Sequence, residues 1–439
     1  MPIGGGNFTL MNKVLPGAYT NFVSVAAGVS AGSRGVVALP LSLNWGEEGK
    51  VIRMDAGDFA KNSLAVFGYE ATAPEMLPIR EAFKRAKTVL VYRVNGGGAK
   101  ATKTVGGVIA TAKYSGTRGN DIKIGILANP DGGSDVVTYI DNREVDRQNV
   151  TAVTELVDND FVTFSGVSVT ASAAIALAGG TNGNAIGSTY SEAFAAFEVE
   201  NFNVIGFTGT DTSVMALLAT FVKRLRDDEG KKVVAVMGKY ASANYEGIIS
   251  VKNGVILEDG TELTAAQAAA WVAGATAGAE INESLTNTVY EGAVDVTEKY
   301  TKSQYEAALK GGEFVFYAED GRVRVLDDIN TLVTFANGKT EDWTSNRLVR
   351  VMDGWANDVA RIFGSTYMGL ATNDDTGRQL FKADLVSLGK QYEGIGAISE
   401  FDSADITVSQ GTGKRDVVVD CALKPNDSMT KLYMTVQVQ

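Results

Sequence analysis

The sequence predicts an α/β and α+β multidomain protein carrying an inserted all-β domain. Three observations lead there. Near-continuous apolar strands, TVLVYRV at Thr88–Val94 and KVVAVM at Lys232–Met237, alternate with amphipathic helices, the pattern of a buried parallel sheet. Between two glycine-rich joints, residues 96–183 lose helical periodicity and read as short strands. The 439 residues allow about three domains.

Residues Pro16–Val25 (PGAYTNFVSV) read as an extended arm, since Pro-Gly starts a turn and Tyr19, Phe22, Val23 and Val25 favour strand. Arg34–Leu43 is a first core strand. Asp55–Phe67 and Pro74–Ala86 read as short helices, the second with Met76, Ile79, Phe83 and Ala86 at helical spacing. Thr88–Val94 is the next core strand. The joint Asn95-Gly96-Gly97-Gly98 then opens a Thr-, Val-, Gly- and Asp-rich stretch. Within it Val105–Tyr114, Asp121–Leu127, Asp135–Tyr139 and Phe161–Val169 read as strands of a small sandwich or barrel. The joint at 179–184 closes it, so an insertion on two flexible joints is the simplest organisation.

From Ser188 the pattern is again α/β. Ser188–Glu200 reads as a helix and Phe202–Phe207 as a strand. Asp211 is placed to cap the next helix, whose Val214, Leu217, Leu218, Phe221, Val222 and Leu225 form one apolar stripe. With Lys232–Met237 this makes a strand–helix–strand unit and a parallel pair. Thr264–Ala279 and Ser303–Lys310 read as helices. Asp320-Gly321 between Phe314–Ala318 and Arg322–Leu326 signals a hairpin with a two-residue turn. Two long helices follow. Thr344–Phe363 has Leu348, Met352, Trp355, Val359 and Phe363 along one face, and Asp375–Gln391 carries Leu380, Phe381, Leu385 and Leu388. A hairpin joins Ile406–Val408 to Val417–Leu423, and Lys431–Gln439 (KLYMTVQVQ) is a period-2 strand.

This order divides the chain into an N-terminal arm (1–26), a first part of the α/β core (27–95), the inserted β domain (96–183), the rest of the α/β core (184–328), a C-terminal α+β domain (329–430) and a terminal strand (431–439). Neither terminal segment has an obvious strand partner nearby in the sequence. An unpaired edge is sticky unless covered, and strand addition by another subunit covers it.

Composition narrows the chemistry. With no histidine, Ser-His-Asp and Cys-His catalysis and imidazole proton shuttling are excluded. The single cysteine, Cys421, excludes an intrachain disulfide and multi-cysteine metal sites; it alternates in a strand and reads as a small core residue. A formal charge of −12 argues against nucleic acid and anionic membranes as partners. The N-terminus lacks a basic region followed by an apolar core, so no signal peptide is expected. The most apolar run, Ala173–Ala178, is far shorter than the ~20 residues of a membrane helix.

The motifs that resemble sites are incomplete. Gly96, Gly98 and Ala101 fit G-x-G-x-x-A, with Asp121 at ribose-binding distance, but the element that follows is β-rich where the phosphate needs a helix N-terminus. Gly338-Lys339-Thr340 ends like a P-loop whose first glycine is replaced by Val333. Ser33 in Ala31–Gly35 has no histidine to activate it. Asn373-Asp374-Asp375 is better explained as a helix cap than as a cation site. Arg347, Arg350 and Arg361, and Arg378, Lys382 and Lys390, read as a solvated or partner-binding face of the two late helices. No catalytic, cofactor-binding or metal-binding residue is assigned, and no enzyme is expected.

Taken together, PGAYTNF (Pro16–Phe22), FNVIGFTG (Phe202–Gly209), VRVLDDINTLVTF (Val323–Phe335) and DVVVDCALKPNDSMTKLYMTVQV (Asp416–Val438) resemble contractile-tail sheath proteins. AKYSGTRGNDIKI (Ala112–Ile124) is similar to the β-insertion of sheaths from Gram-positive phages, defective prophages and diffocin-type particles. Gly4–Gly6 has no clear counterpart. The resemblance covers nearly the whole chain in order. It implies a structural subunit that polymerises as stacked hexameric rings around an inner tube and contracts on a baseplate signal. Its partners are then other copies of itself, the inner tube protein, and baseplate and tail terminator proteins. It implies intersubunit arms: Tyr19, Thr20, Asn21, Phe22 and Val23 at the N-terminus, and Leu432, Tyr433, Met434, Thr435, Val436, Gln437 and Val438 at the C-terminus. The C-terminal domain lines the tube, where Arg378, Lys382 and Lys390 are the candidate contacts. Competing readings are a baseplate or other tail component, and a carboxylate-dependent hydrolase.

Overall fold

The computed structural model describes residues 4–6, 17–19, 34–336 and 338–438. The chain divides into two units, Met1–Ala31 with Val359–Lys424, and Gly32–Asp358 with Pro425–Gln439.

In the first unit, β1 (Gly4–Gly6) pairs in parallel with β2 (Gly17–Tyr19). The rest of the N-terminal arm, including Thr20, Asn21, Phe22 and Val23, lies outside the described residues, as does Ser33.

The larger unit holds the α/β core. Its first elements are β3 (Val36–Leu41), β4 (Val51–Asp55), α1 (Ala56–Phe67), α2 (Leu77–Phe83) and β5 (Thr88–Arg93). The inserted domain contributes β6 (Thr102–Val105), β7 (Val108–Ala112), β8 (Ile122–Ala128), β9 (Ser134–Ile140), β10 (Arg143–Val150), β11 (Val162–Gly166) and β12 (Ser172–Ala176). The core resumes with α3 (Gly187–Glu198), β13 (Val204–Phe207), α4 (Thr212–Asp227), β14 (Val234–Gly238), β15 (Ile248–Val251), β16 (Val255–Leu257), β17 (Glu262–Leu263), α5 (Ala265–Gly278), β18 (Ala293–Val296), α6 (Lys302–Lys310), β19 (Glu313–Phe314), β20 (Phe316–Glu319) and β21 (Arg322–Val325).

Seven strands form the central sheet in the order β19-β15-β14-β13-β3-β5-β4, all parallel except edge strand β4. Burial on both faces explains the unbroken apolar strands. One face packs Phe59, Phe67, Ile79 and the alanine-rich α5 around Trp271. The other packs Phe194 and Phe197 of α3 and Leu218, Val222 and Leu225 of α4. Asp211 caps α4 as expected, accepting from the Ser213 amide at 2.8 Å. Asp320 and Gly321 take φ of 50° and 70°, the left-handed turn that closes β20 on β21.

The inserted domain is a sandwich of a four-stranded sheet, β10-β9-β8-β12, and a three-stranded one, β11-β7-β6. Val105–Tyr114, read as one strand, is two: Gly106 and Gly107, with φ of 54° and 88°, turn the chain between β6 and β7. Strand β10 was not read from the sequence, because its run REVDRQNV is charged at four of its eight positions.

The two joints, expected to be flexible, are hydrogen-bonded to each other. They run side by side, with the Gly183 amide donating to Asn95 O and the Thr181 amide to Ala99 O, both at 3.0 Å. Two buried arginines fasten the neck. Arg93 donates to Gly46 O and Ser115 O at 3.0 and 2.9 Å. Arg118 donates to Gly68 O at 2.7 Å, grips Asp141 and Asp121, and lies over the Tyr69 ring at 4.3 Å. Asp121, at ribose-binding distance in the sequence, is thus a partner of Arg118.

Helix α7 (Asn346–Ile362) follows, then a five-residue π-helical stretch at Phe363–Tyr367. In the smaller unit α8 (Asp375–Gly394) packs beside the hairpin of β22 (Ile406–Gln410) and β23 (Val417–Cys421). Asp374 caps α8, its carboxylate accepting from Gly377 N at 2.8 Å, which bears out the helix cap.

Candidate functional site

The C-terminal segment breaks the usual burial rule. Residues 431–438 pair with no strand, although their alternation reads as one; Gln439 lies outside the described residues. A strand needs a neighbour to accept and donate its backbone hydrogen bonds, and none is found here among the described residues. Leu432 and Tyr433 are 86% and 89% exposed, and Met434, Val436 and Val438 are also exposed. Five large side chains, Leu432, Tyr433, Met434, Val436 and Val438, are thus exposed on one unpaired segment, an uncommon concentration of apolar surface.

The candidate tube contacts sit differently from the free cationic face expected. Arg378 is mostly covered: it donates to Asn373 O and Oδ1 at 3.2 and 2.9 Å and pairs with Asp375, bracing the start of α8. Lys390 is tied to Glu393 at 2.8 Å and to Phe401 O at 2.5 Å. Lys382 is half-buried. The cations that stand out are Lys414 and Arg415, on the β22–β23 loop and exposed. With Arg378 they rim a cavity of about 530 Å³ walled by Phe363, Tyr367 and Phe381. Sequence reading passed over this pair, because nothing in their spacing links a hairpin loop to a helix start.

A clearer departure is α7. Its buried residues include Asn346, Arg350 and Asp353, which with Asn357 repeat at i, i+4, i+7 and i+11 on one face. Asp353 takes a two-pronged bond from Arg226 of α4 at 2.6 and 2.9 Å. Arg350 pairs with Asp328 at 3.4 Å, and Asn346 Nδ2 donates to the same carboxylate at 2.9 Å. Asn357 exchanges two bonds of 3.1 Å with the backbone of Lys232. Burial works against the charge of Arg226, yet the Asp353 carboxylate outweighs it and raises the guanidinium pKa. Arg350 is therefore a buried anchor, not part of a solvated or partner-binding face.

The remaining motifs resolve as structure. Lys339 of the partial P-loop bonds Glu246 at 2.6 Å and lies 5.2 Å from the Trp343 ring centroid. Cys421 is half-buried in β23, and burial, with Asp405 adding, pushes its thiol up to about 11. Among the described residues there is no metal-ligating cluster, and no helix is long and apolar enough to cross a membrane.

Comparison with known proteins agrees from end to end. Four family models match in succession: the tail sheath protein Gp18 domain III N-terminal region at 34–94, the phage tail sheath β-sandwich domain at 95–182, the phage tail sheath central domain at 183–331 and the phage tail sheath C-terminal domain at 338–439. The phage-like element PBSX protein XkdK of Bacillus subtilis is 39% identical over 470 aligned residues, covering 99% of this chain and 100% of that protein. Among solved structures, the sheath tail protein of Desulfitobacterium hafniense is 44% identical with a TM-score of 0.86, covering 96% of this chain and 100% of that one. The sheath tail protein of Listeria innocua is 35% identical with a TM-score of 0.77, covering 93% and 96%. The chain belongs to the phage tail sheath family.

Proposed function

We propose that this structural tail protein forms hexameric rings stacked helically around an inner tube, and that contraction of the stack drives the tube through a target cell envelope. The observation that carries this reading is the C-terminal segment, strand-like in sequence yet unpaired and apolar on its exposed surface. Leu432–Val438 of one subunit adds to a sheet with the Tyr19–Val23 region of a neighbour, so that backbone hydrogen bonds hold the mesh while rings rotate and slide. The division into arms, core, insertion and C-terminal domain at 26, 95, 183, 328 and 430 is part of the same proposal.

The C-terminal domain faces the tube. Arg378, Lys382 and Lys390 meet acidic groups there, and the exposed Lys414 and Arg415 beside Arg378 support a cationic contact. The other partners are baseplate and tail terminator proteins, with neither nucleic acid nor membrane among them. Assembly takes place in the cytoplasm of a bacterial host. The subunit acts without catalysis or cofactor, so firing consumes no fuel. The free energy is stored in the extended lattice and released as new contacts form, at ~25 cal/mol per Å² of apolar area buried.

Negative-stain electron microscopy of the purified chain, alone and with its tube protein, tests this. Hollow tubes with a regular helical lattice are expected. Discrete small particles at high concentration under both conditions would overturn it.

A further inference from the structure

The α/β core lends the inserted domain part of its interior. Trp45 lies between β3 and β4, ahead of both joints, yet it is fully buried in one apolar cluster with Ala101, Val105, Ala112, Ile122 and Phe161 of the insertion. Its ring meets Tyr114 edge-on, with centroids 5.4 Å apart, and lies 6.5 Å from Phe161. Its indole N–H has no hydrogen-bond partner among the described residues, so packing alone holds the ring there. The core backbone makes room for it: a Cβ at Gly68, where φ is 77°, would lie 2.9 Å from Trp45 Cγ.

Polar contacts surround this ring. Asn44 O accepts from the Arg118 amide at 3.2 Å, and Asn44 Oδ1 accepts from Asn182 Nδ2 at 2.8 Å. Past α1, Gly68 O accepts from the Arg118 guanidinium at 2.7 Å, and Glu70 pairs with Arg143 at 2.6 Å. Two core loops thus hold three separate places on the insertion: the turn at Arg118, the start of β10 and the returning joint.

We infer that Trp45 is a plug and Arg118 a clamp, which together fix the direction of the inserted domain on the core and tie its stability to the core's. Two joints side by side would by themselves leave a hinge. Contacts at Arg118 and Arg143, away from the joints, remove that freedom. Residues 96–183 form a small domain with little stability to spare, so one large interior side chain supplied from outside is a large share of it. The insertion is then an extension of the core, and whatever it meets in an assembled tail is placed by the core.

Hydrogen exchange of the full-length Trp45→Ala chain tests the plug. Amides at 108–112 and 122–140 should exchange at least ~10-fold faster, while those at 204–238 in the core keep their rates. Unchanged exchange in the insertion, or an equal rise in both regions, would overturn it. A second measurement does not depend on that variant folding. In a Cys421→Ser chain, spin labels are placed at Val157→Cys on the insertion and Val199→Cys on the core, both at exposed positions. The labelled chain is diluted into an excess of unlabelled chain, so that only distances within one subunit are read. A single narrow distance distribution is expected, and a broad one would overturn the fixed direction. Adding Arg118→Met should broaden it, and an unchanged width would overturn the clamp.

Discussion

The inward face of α7 and the C-terminal segment invert the usual burial rule in opposite directions. Residues 346–357 of α7 carry an inward stripe of buried Asn346, Arg350 and Asp353 with half-buried Asn357. Residues 432–438 expose Leu432, Tyr433, Met434, Val436 and Val438. The difference lies in where the partner is. Three buried polar residues of α7 find charged or polar complements in the same unit, Arg226 for Asp353 and Asp328 for Arg350 and Asn346, and half-buried Asn357 bonds the Lys232 backbone. Among the described residues the terminal segment has no strand beside it to receive its hydrogen bonds. A buried charge is tolerated when paired, and on the proposed function the exposed apolar segment is covered by another molecule.

The sharpest way to break the α7 side is Asp353→Ala. It leaves the Arg226 guanidinium buried without its carboxylate, at a cost of about 3–5 kcal/mol. The unfolding midpoint in urea should fall accordingly. Replacing both partners, Arg226→Met with Asp353→Leu, should recover most of the loss, because a buried pair is often no better than well-packed apolar groups. If the single change is mild, α7 is not held by this pair.

The terminal segment calls for the opposite signature. Thr435→Pro removes one backbone donor and fixes φ in the middle of the strand. The urea midpoint of the monomer should stay put while polymerisation is lost. Sheaths of normal length from this variant, seen by electron microscopy, would sink the intersubunit strand.

Cys421 stands between these extremes, half-buried in a hairpin strand. With its thiol pushed up to about 11, its reactive thiolate is scarce at pH 8. Alkylation there should run roughly 100-fold slower than for a free cysteine and accelerate with each step in pH up to about 11. Rapid labelling at pH 8 would show that the hairpin opens readily.

Legibility follows the same division. The core strands, the Asp211 cap and the Asp320-Gly321 hairpin were readable because their signals are local: an apolar run, a carboxylate before a helix, a turn that needs positive φ. The chain-wide resemblance made the fold and family readable as well. Arg350 was misread because its partner Asp328 lies 22 residues away, and a charged residue on a helix carries no mark of a distant complement. Strand β10 was missed because its charges hide the alternation, and β6–β7 was merged because Gly106-Gly107 was read as part of a strand. The pairing of the two glycine joints with each other was not legible because it is non-local.

The smallest effect concerns the tube contact, where Lys382→Gln and Lys390→Gln make the test. Lys390 already bonds Glu393 and Phe401 O, and Lys382 is half-buried. Exposed ion pairs are individually weak and screened by salt, which suits a contact that must let go when the sheath fires. The urea midpoint of the double variant should therefore barely move. Its co-assembly with tubes should lose part of its dependence on ionic strength, because a small term repeated in every subunit of the polymer adds up even where one copy is undetectable. A salt titration of tube co-sedimentation reads this directly. An unchanged slope would remove both lysines from the contact and shift it to Lys414 and Arg415, where the same titration on Lys414→Gln with Arg415→Gln decides whether the cationic rim of the cavity faces the tube.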